Sequence, residues 1–403
     1  MLDLLKLARQ MQGMSQQLQK EAAATRQRLL QAQEILQAAG AEQPLWLERY
    51  QTWHDKLAFL AAEPVEALDT CLPIGATAAT YTVVATDGSQ IAPSHHEVAY
   101  CYLINIGRIV LHYGTATSPL LDSLPEVFYR PEDLYLSRQW GIRTEEWMGF
   151  RRAQSETVAL ADLACGLPSV GVNGLAPLQR LAMVDGSLIH WSLEMLQAEA
   201  RERILPPMLA AWDRLRLSRI PVVGYLSASR SSEALNFLRL PLCPFPQPDC
   251  GTHCGAGNTE TATDQAPCAK LQPLRDAVLW SALLEPGQRG PLYRSSARIL
   301  SHYGPHRVYF CYVHVGVEVA RVEMPEWVAL DAELRESALA MVMEQVRKGY
   351  GYPVALAEAH NQAVVRGSDR ARFFALLEQE MVRTGLQNVG TSFKEARKRG
   401  SIA

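Results

Sequence analysis

Two short passages of this 403-residue chain carry the same chemistry. VVATDGSQI and LAMVDGSLI each place an aspartate, Asp87 and Asp185, at the exit of an apolar strand and follow it with Gly-Ser. A glycine there permits close backbone approach and unusual dihedrals. Ligands of open α/β sheets gather beyond the carboxyl ends of the strands. If the two strands are neighbours, the carboxylates stand side by side, and they repel unless something positive sits between them. A hard divalent cation is the natural partner. One Asp-Gly pair alone reads as a turn; two copies in matched contexts point to a site. Competing chemistries lack their residues. An aspartyl-nucleophile phosphatase wants a second Asp two residues on, where Ser89 and Ser187 stand. The P-loop and the Gly-x-Ser-x-Gly elbow are absent. Metal-assisted attack on a phosphodiester remains.

The elements around these turns are those of an α/β domain with a mixed sheet. Residues 81–86 and 181–184 are β-branched or apolar runs, and Ile220 to Leu226 reads as a further strand. Residues 98–104 and 109–113 flank Asn105-Ile106-Gly107-Arg108, a hairpin signature. A second hairpin is predicted from 307–315 and 317–322, with helices up to about 166, at 192–216, and at about 332–347, 354–365 and 369–384. Before them, Leu4, Leu7, Met11, Met14 and Leu18 step as a heptad seam, which slips at Ala22 and resumes through Thr25, Leu29, Ala32 and Leu36 until Gly40. Residues 1–70 are expected to form a helical, coiled-coil-like arm for dimerisation or partner docking; a helical hairpin on its own core is the alternative.

Hydrophobic residues at 48% and charged residues at 20% are ordinary globular composition. The net charge of −3 lacks the basic footprint of many nucleic-acid binders, so a DNA-directed enzyme of this composition would use a local channel and its metal ions. A basic tail, Lys394, Arg397, Lys398 and Arg399, is the obvious exception. No apolar run is long enough to span a bilayer, and Asp3, Lys6 and Arg9 interrupt the N-terminus, so no signal peptide is read there. A cytoplasmic protein is expected, with its eight cysteines as thiols or metal ligands.

From about residue 80 to 395 the chain resembles the NurA nucleases. The likeness rests on ATDGSQI, on Arg152 and Glu156 in FRRAQSETVAL, on VDGSLIHW, on LLEPGQRGPLYRSSARIL, on RVYFCYVHVGVEVARVEMPEWV and on GYPVALAEAHNQAVV, in that order. The resemblance implies an RNase H-like nuclease domain over 78–395, usually dimeric and active with manganese. It also implies the hexameric ATPase HerA as partner in processing DNA ends for repair. Carried over by position, Asp87, Glu156 and Asp185 are the acidic metal site, with Tyr352 and His360 from the late Tyr-Pro and Ala-His motif. Oxygen ligands with one imidazole suit Mn²⁺ or Mg²⁺. Glu156 is then a ligand or the group that orients water. His360 completes the ligand set or protonates the leaving oxygen, and Tyr352 bonds a phosphate or packs ahead of Pro353. The substrate expected is DNA, as single strands or duplex ends. The alternatives are a non-catalytic nucleic-acid-binding or scaffold relative, and a hydrolase of RNA or nucleotides.

Residues 241–273 stand outside that motif set as a Cys- and Pro-rich insert. Cys243, Cys250, Cys254 and Cys268, with His253 among them, are enough ligands for structural zinc, although the spacing lacks paired CxxC knuckles. Iron–sulfur ligation and free thiols are the other readings. Arg230, Arg289 and Arg294 are the candidate phosphate contacts, and His95, His96 and His190 secondary ones. Arg321 and Glu323 read as a cross-strand ion pair without a catalytic role.

Overall fold

Residues 81–86 are buried at every position, as a strand covered on both faces requires. In the computed structural model, which describes residues 3–94, 97, 99–168, 179–254 and 266–385, that run opens the central strand of a mixed α/β fold. In chain order the main elements are α1 (Leu4–Ala41), α2 (Gln43–Trp53), β1 (Glu63–Pro64), β2 (Leu72–Pro73), β3 (Tyr81–Ile91), β4 (Tyr102–Tyr113), β5 (Leu120–Phe128), α3 (Thr144–Gly166), β6 (Gln179–Asp185), α4 (Ala198–Leu217) and β7 (Val222–Leu226). They continue with β8 (Gln288–Arg289), β9 (Tyr293–Arg294), β10 (Val308–His314), β11 (Val319–Pro325), α5 (Ala332–Lys348), α6 (Val354–Ala363) and α7 (Gly367–Arg383). No helix among the described residues is long and apolar enough to cross a membrane.

The chain forms two compact units. One holds residues 76–224 and 330–403, the other 1–75 and 225–329. In the first, β3 pairs antiparallel with β4 along its whole length and parallel with β6 from Tyr81↔Gln179 to Thr86↔Val184. β5 extends the sheet beyond β4, and β7 follows β6. Helices α3 and α6 both pack on β3 and β4, and α4 packs on α3.

Three local expectations are corrected here. The first Asp-Gly-Ser is not a turn: β3 continues through it, because β4 goes on supplying partners at Asp87↔Gly107, Gly88↔Ile106 and Ser89↔Asn105. Only the second is a turn, where Gly186 adopts φ 107°. The segment read as a hairpin at Asn105 to Arg108 is the middle of one straight strand, β4. β5 was not read from the sequence, because its pattern is mostly exposed and it contains Pro125.

The other unit carries β1-β9-β10-β11, with β8 pairing β2 and β10. Its core takes in Ala32, Leu36 and Ala39 of α1 and Tyr50 of α2, beside Phe237, Trp280, Phe310 and Tyr312. Residues 1–75 thus share a unit with 225–329. Helix α1 passes through Gly40 and is capped at Glu42. Its first half leaves Leu4, Met11, Met14 and Leu18 exposed. Arg321 and Glu323 lie on the same strand, two residues apart and on one face, where the guanidinium also meets Glu233 at 2.8 Å. The tail with Lys394, Arg397, Lys398 and Arg399 lies outside the described residues, as do His95, His96 and residues 255–265 of the insert.

Candidate active site

Side chains alternate across a strand, so the four residues Thr86 to Ser89 serve two faces of β3. On one face the Thr86 hydroxyl donates to the Glu156 carbonyl at 3.0 Å, tying α3 to the strand. Gly88 shares that face and has no side chain, so the Glu156 carboxylate lies against its backbone. A Cβ at Gly88 would collide with that carboxylate and stand 2.8 Å from Arg152 Cγ. On the opposite face, His360 Nδ1 lies 2.8 Å from Asp87 Oδ2. The Ser89 hydroxyl donates to the Ala363 carbonyl at the end of α6, and Asn105 Nδ2 donates to the same oxygen at 2.8 Å. Gly107, opposite Asp87, lets α6 approach: a Cβ there would strike the Ala359 carbonyl and stand 2.5 Å from the Ala363 amide nitrogen.

Asp185 is the last residue of β6, one step past the Thr86↔Val184 pair, so the two aspartates stand at the same level on neighbouring parallel strands. Because β6 ends there, the edge of β3 beyond Thr86 is uncovered on that side, and carboxylates from both faces reach one region. The chemistry registers this. The Glu156 carboxyl is pushed up to about 7, first by burial, while Arg152 pulls it down and Asp87 and Asp185 raise it further. Arg152 Nε is 3.2 Å from Glu156 Oε1, but it is buried and not aligned as a hydrogen bond. One misaligned guanidinium does not neutralise three carboxylates. The Gly88 amide donates to Asp87 Oδ1 at 2.7 Å, which fixes that carboxylate.

The donor set of Asp87, Glu156, Asp185 and His360 fits a hard divalent cation. Among the described residues no three His, Cys, Asp or Glu side chains are yet gathered around one point. Asp87 and Glu156 approach from opposite faces of β3.

The family model of the NurA domain matches residues 81–365, which contain all of these groups. The chain belongs to the NurA family. Among solved structures it is similar to the NurA nuclease from Sulfolobus solfataricus, at 12% identity and TM-score 0.43, over 78% of this chain and 88% of that one. It is also similar to a structure of NurA with manganese, at 10% identity and TM-score 0.36, over 79% and 91% of the two chains. No curated protein matches it.

Of the residues that the NurA resemblance singled out, His360 meets Asp87 at 2.8 Å, and Asp87 and Asp185 act electrostatically on Glu156. Tyr352 sits half-buried in the turn ahead of α6, and its part in the site rests on the resemblance alone. In the sequence Asn105 and Gly107 read as hairpin residues, and none of Asn105, Ser89 and Gly107 as part of the site, although Asn and Gly inside a strand signal a close backbone approach. Arg289 cannot be a phosphate contact as proposed: it is 2% exposed, with Nη1 2.6 Å from Glu66 Oε2. Arg294 pairs with Glu63. His190 is half-buried and stacks on Trp212, and burial lowers its imidazole to about 4, so it stays neutral at physiological pH.

Proposed function

We propose that this NurA-family protein is a divalent-metal-dependent nuclease that hydrolyses DNA phosphodiesters at ends or on single strands. The observation that supports the reading is that Asp87 and Asp185 stand at one level on neighbouring strands, within electrostatic reach of Glu156, whose carboxyl is raised first by burial and then by those two aspartates. Three carboxylates at one strand edge have no structural return without a cation. Manganese or magnesium held by Asp87, Asp185 and Glu156 would polarise the phosphate and neutralise developing charge.

The protein's own groups then divide the proton work. Glu156, with Asp87 and Asp185 within its electrostatic reach, can accept a proton from attacking water near neutral pH. His360 uses Nδ1 on Asp87, which leaves Nε2 for the leaving oxygen. In this reading His360 orients through Asp87 and transfers a proton, and it need not enter the ligand set. The order β7-β6-β3-β4-β5, an antiparallel meander extended on the β3 side by a parallel strand, supports an RNase H-like core. A HerA-type ATPase partner and a role in DNA end repair belong to the same proposal and rest on the resemblance, whereas homodimerisation through α1 rests on its exposed heptad seam.

The test is cleavage of end-labelled single- and double-stranded DNA, and of RNA, by the purified full chain with Mn²⁺, Mg²⁺ or EDTA. Asp87→Asn and Asp185→Asn are run alongside. Metal-dependent DNA cleavage lost in both variants, by more than about 1,000-fold, is expected. No cleavage in any metal, with a HerA-type ATPase supplied, would leave a scaffold. A preference for RNA would change the substrate class.

A further inference from the structure

The insert at 241–273 has little regular structure among its described residues: one helical turn at Cys250–His253 and a short 3-10 turn at Pro267–Ala269. Yet its four cysteines, separated in sequence by six, three and thirteen residues, line a single cavity of about 30 Å³ walled by Leu57, Phe59 and Phe245. The Cys254 amide donates to the Cys250 carbonyl at 2.9 Å, so these two thiols lie on the same side of one turn, a chelating pair. The Cys254 thiol is pushed up by burial and then by Cys250, Cys268 and Cys243, so all three are within its electrostatic reach.

Thiols are weak hydrogen-bonding groups, and clustering four of them brings little stability unless something binds them together. We propose that Cys243, Cys250, Cys254 and Cys268 hold one zinc ion as four thiolates, a structural centre separate from the nuclease site. The second half of the argument is charge. Zinc on four thiolates carries a net charge of about −2, which a buried site must offset. Arg239 is in place for that: it is 6% exposed, with Nη2 3.8 Å from Cys268 Sγ and Nε donating to the Cys268 carbonyl at 3.0 Å. Its guanidinium is held by stacking on Phe59 at 3.7 Å. His253 lines the same cavity with its ring stacked on Phe245 at 4.1 Å.

The cavity touched by all four cysteines has room for an ion. An adjoining cavity of about 150 Å³ shares Cys250, Cys254 and Cys268. The sulfurs have not closed on a common point. Zinc–sulfur bonds of ~2.3 Å would draw them inward as they form.

Metal analysis of the full chain, purified without added chelator, tests this directly. About one zinc per chain is expected, retained in Cys71→Ser and in Asp87→Asn, and lost in the double variant Cys250→Ser/Cys254→Ser. Replacement by cobalt should give an intense thiolate-to-cobalt absorption band. A mercurial should release the zinc as the thiols react. If the double variant does not fold, the zinc content and cobalt spectrum of the unaltered protein still decide. Folded, metal-free protein whose four thiols alkylate freely would overturn the proposal. So would a disulfide among them, or iron with acid-labile sulfide.

Discussion

Gly107 stands directly opposite Asp87 in the β3–β4 register, and the space its missing side chain leaves is filled by the backbone of α6. That contact carries His360 to the Asp87 carboxylate, so a residue with no side chain sets the geometry of two that have chemistry.

Gly107→Ala is therefore expected to move α6 and its histidine. A methyl that meets backbone atoms cannot be accommodated by a rotamer change, so destabilisation of about 1–3 kcal/mol is expected. Cleavage should fall about 100-fold or more, since a shift near 1 Å at a reacting group has that effect. Thermal unfolding and cleavage rates check both. Full activity in a folded Gly107→Ala protein would remove this account of how His360 is positioned.

Gly88→Ala tests the other face of the strand. Its Cβ meets the end of the Glu156 side chain and Arg152 Cγ, both of which can swing aside, so the stability change should stay below about 1 kcal/mol. Activity should drop to the level of Glu156→Ala, and the double variant should be no worse than either single one, because both act through the same carboxylate. Additive losses in that cycle would show that Gly88 acts some other way.

Glu156 makes stability depend on pH when metal is withheld. Its folded value near 7 lies above the ordinary 4.5, so ionisation favours the unfolded chain. Below about pH 4.5 the carboxyl is protonated in both states and exerts no effect. The penalty grows between 4.5 and 7 and is full above that. In EDTA at pH 8, Glu156→Gln should be more stable than the unaltered protein by about 2 kcal/mol, an advantage that fades toward pH 4.5. Added Mn²⁺ should stabilise the unaltered protein more than the variant. Unfolding scans across pH with and without metal read this out, and equal stabilities at pH 8 in EDTA would count against the crowded-carboxylate site.

His360 is exposed, so replacing it should leave stability within about 0.5 kcal/mol. His360→Ala should slow cleavage by about 100- to 10,000-fold if the imidazole moves a proton. His360→Asn separates the two functions, since its amide can still bond Asp87 but has no Nε2. Activity as low as the alanine variant assigns the proton to Nε2. Near-normal activity would mean that only the bond to Asp87 matters.

Much of this was legible in the residue order because it is written in short-range patterns. Residues 81–86 and 181–184 read as strands from their apolar character, and helices α5, α6 and α7 read from their period to within a few residues. Asn105 and Gly107 misled, because they are hairpin residues by local preference. Here they sit inside a strand for the sake of α6, which arrives more than 240 residues later. β5 gave no signal, since much of it is exposed and its place depends on β4.

The sequence by itself determined which groups are available: twin aspartates after apolar runs, a glutamate on a helix, a histidine on another, and four cysteines in an irregular insert. Only the tertiary structure decided that β6 pairs parallel with β3 and stops at Asp185, that Asp87 and Glu156 come from opposite faces of one strand, and that Arg289 is spent on Glu66. The reason is range. A strand's character follows from its own residues, whereas its neighbours, and the charge any side chain meets, follow from burial among segments far away in the chain.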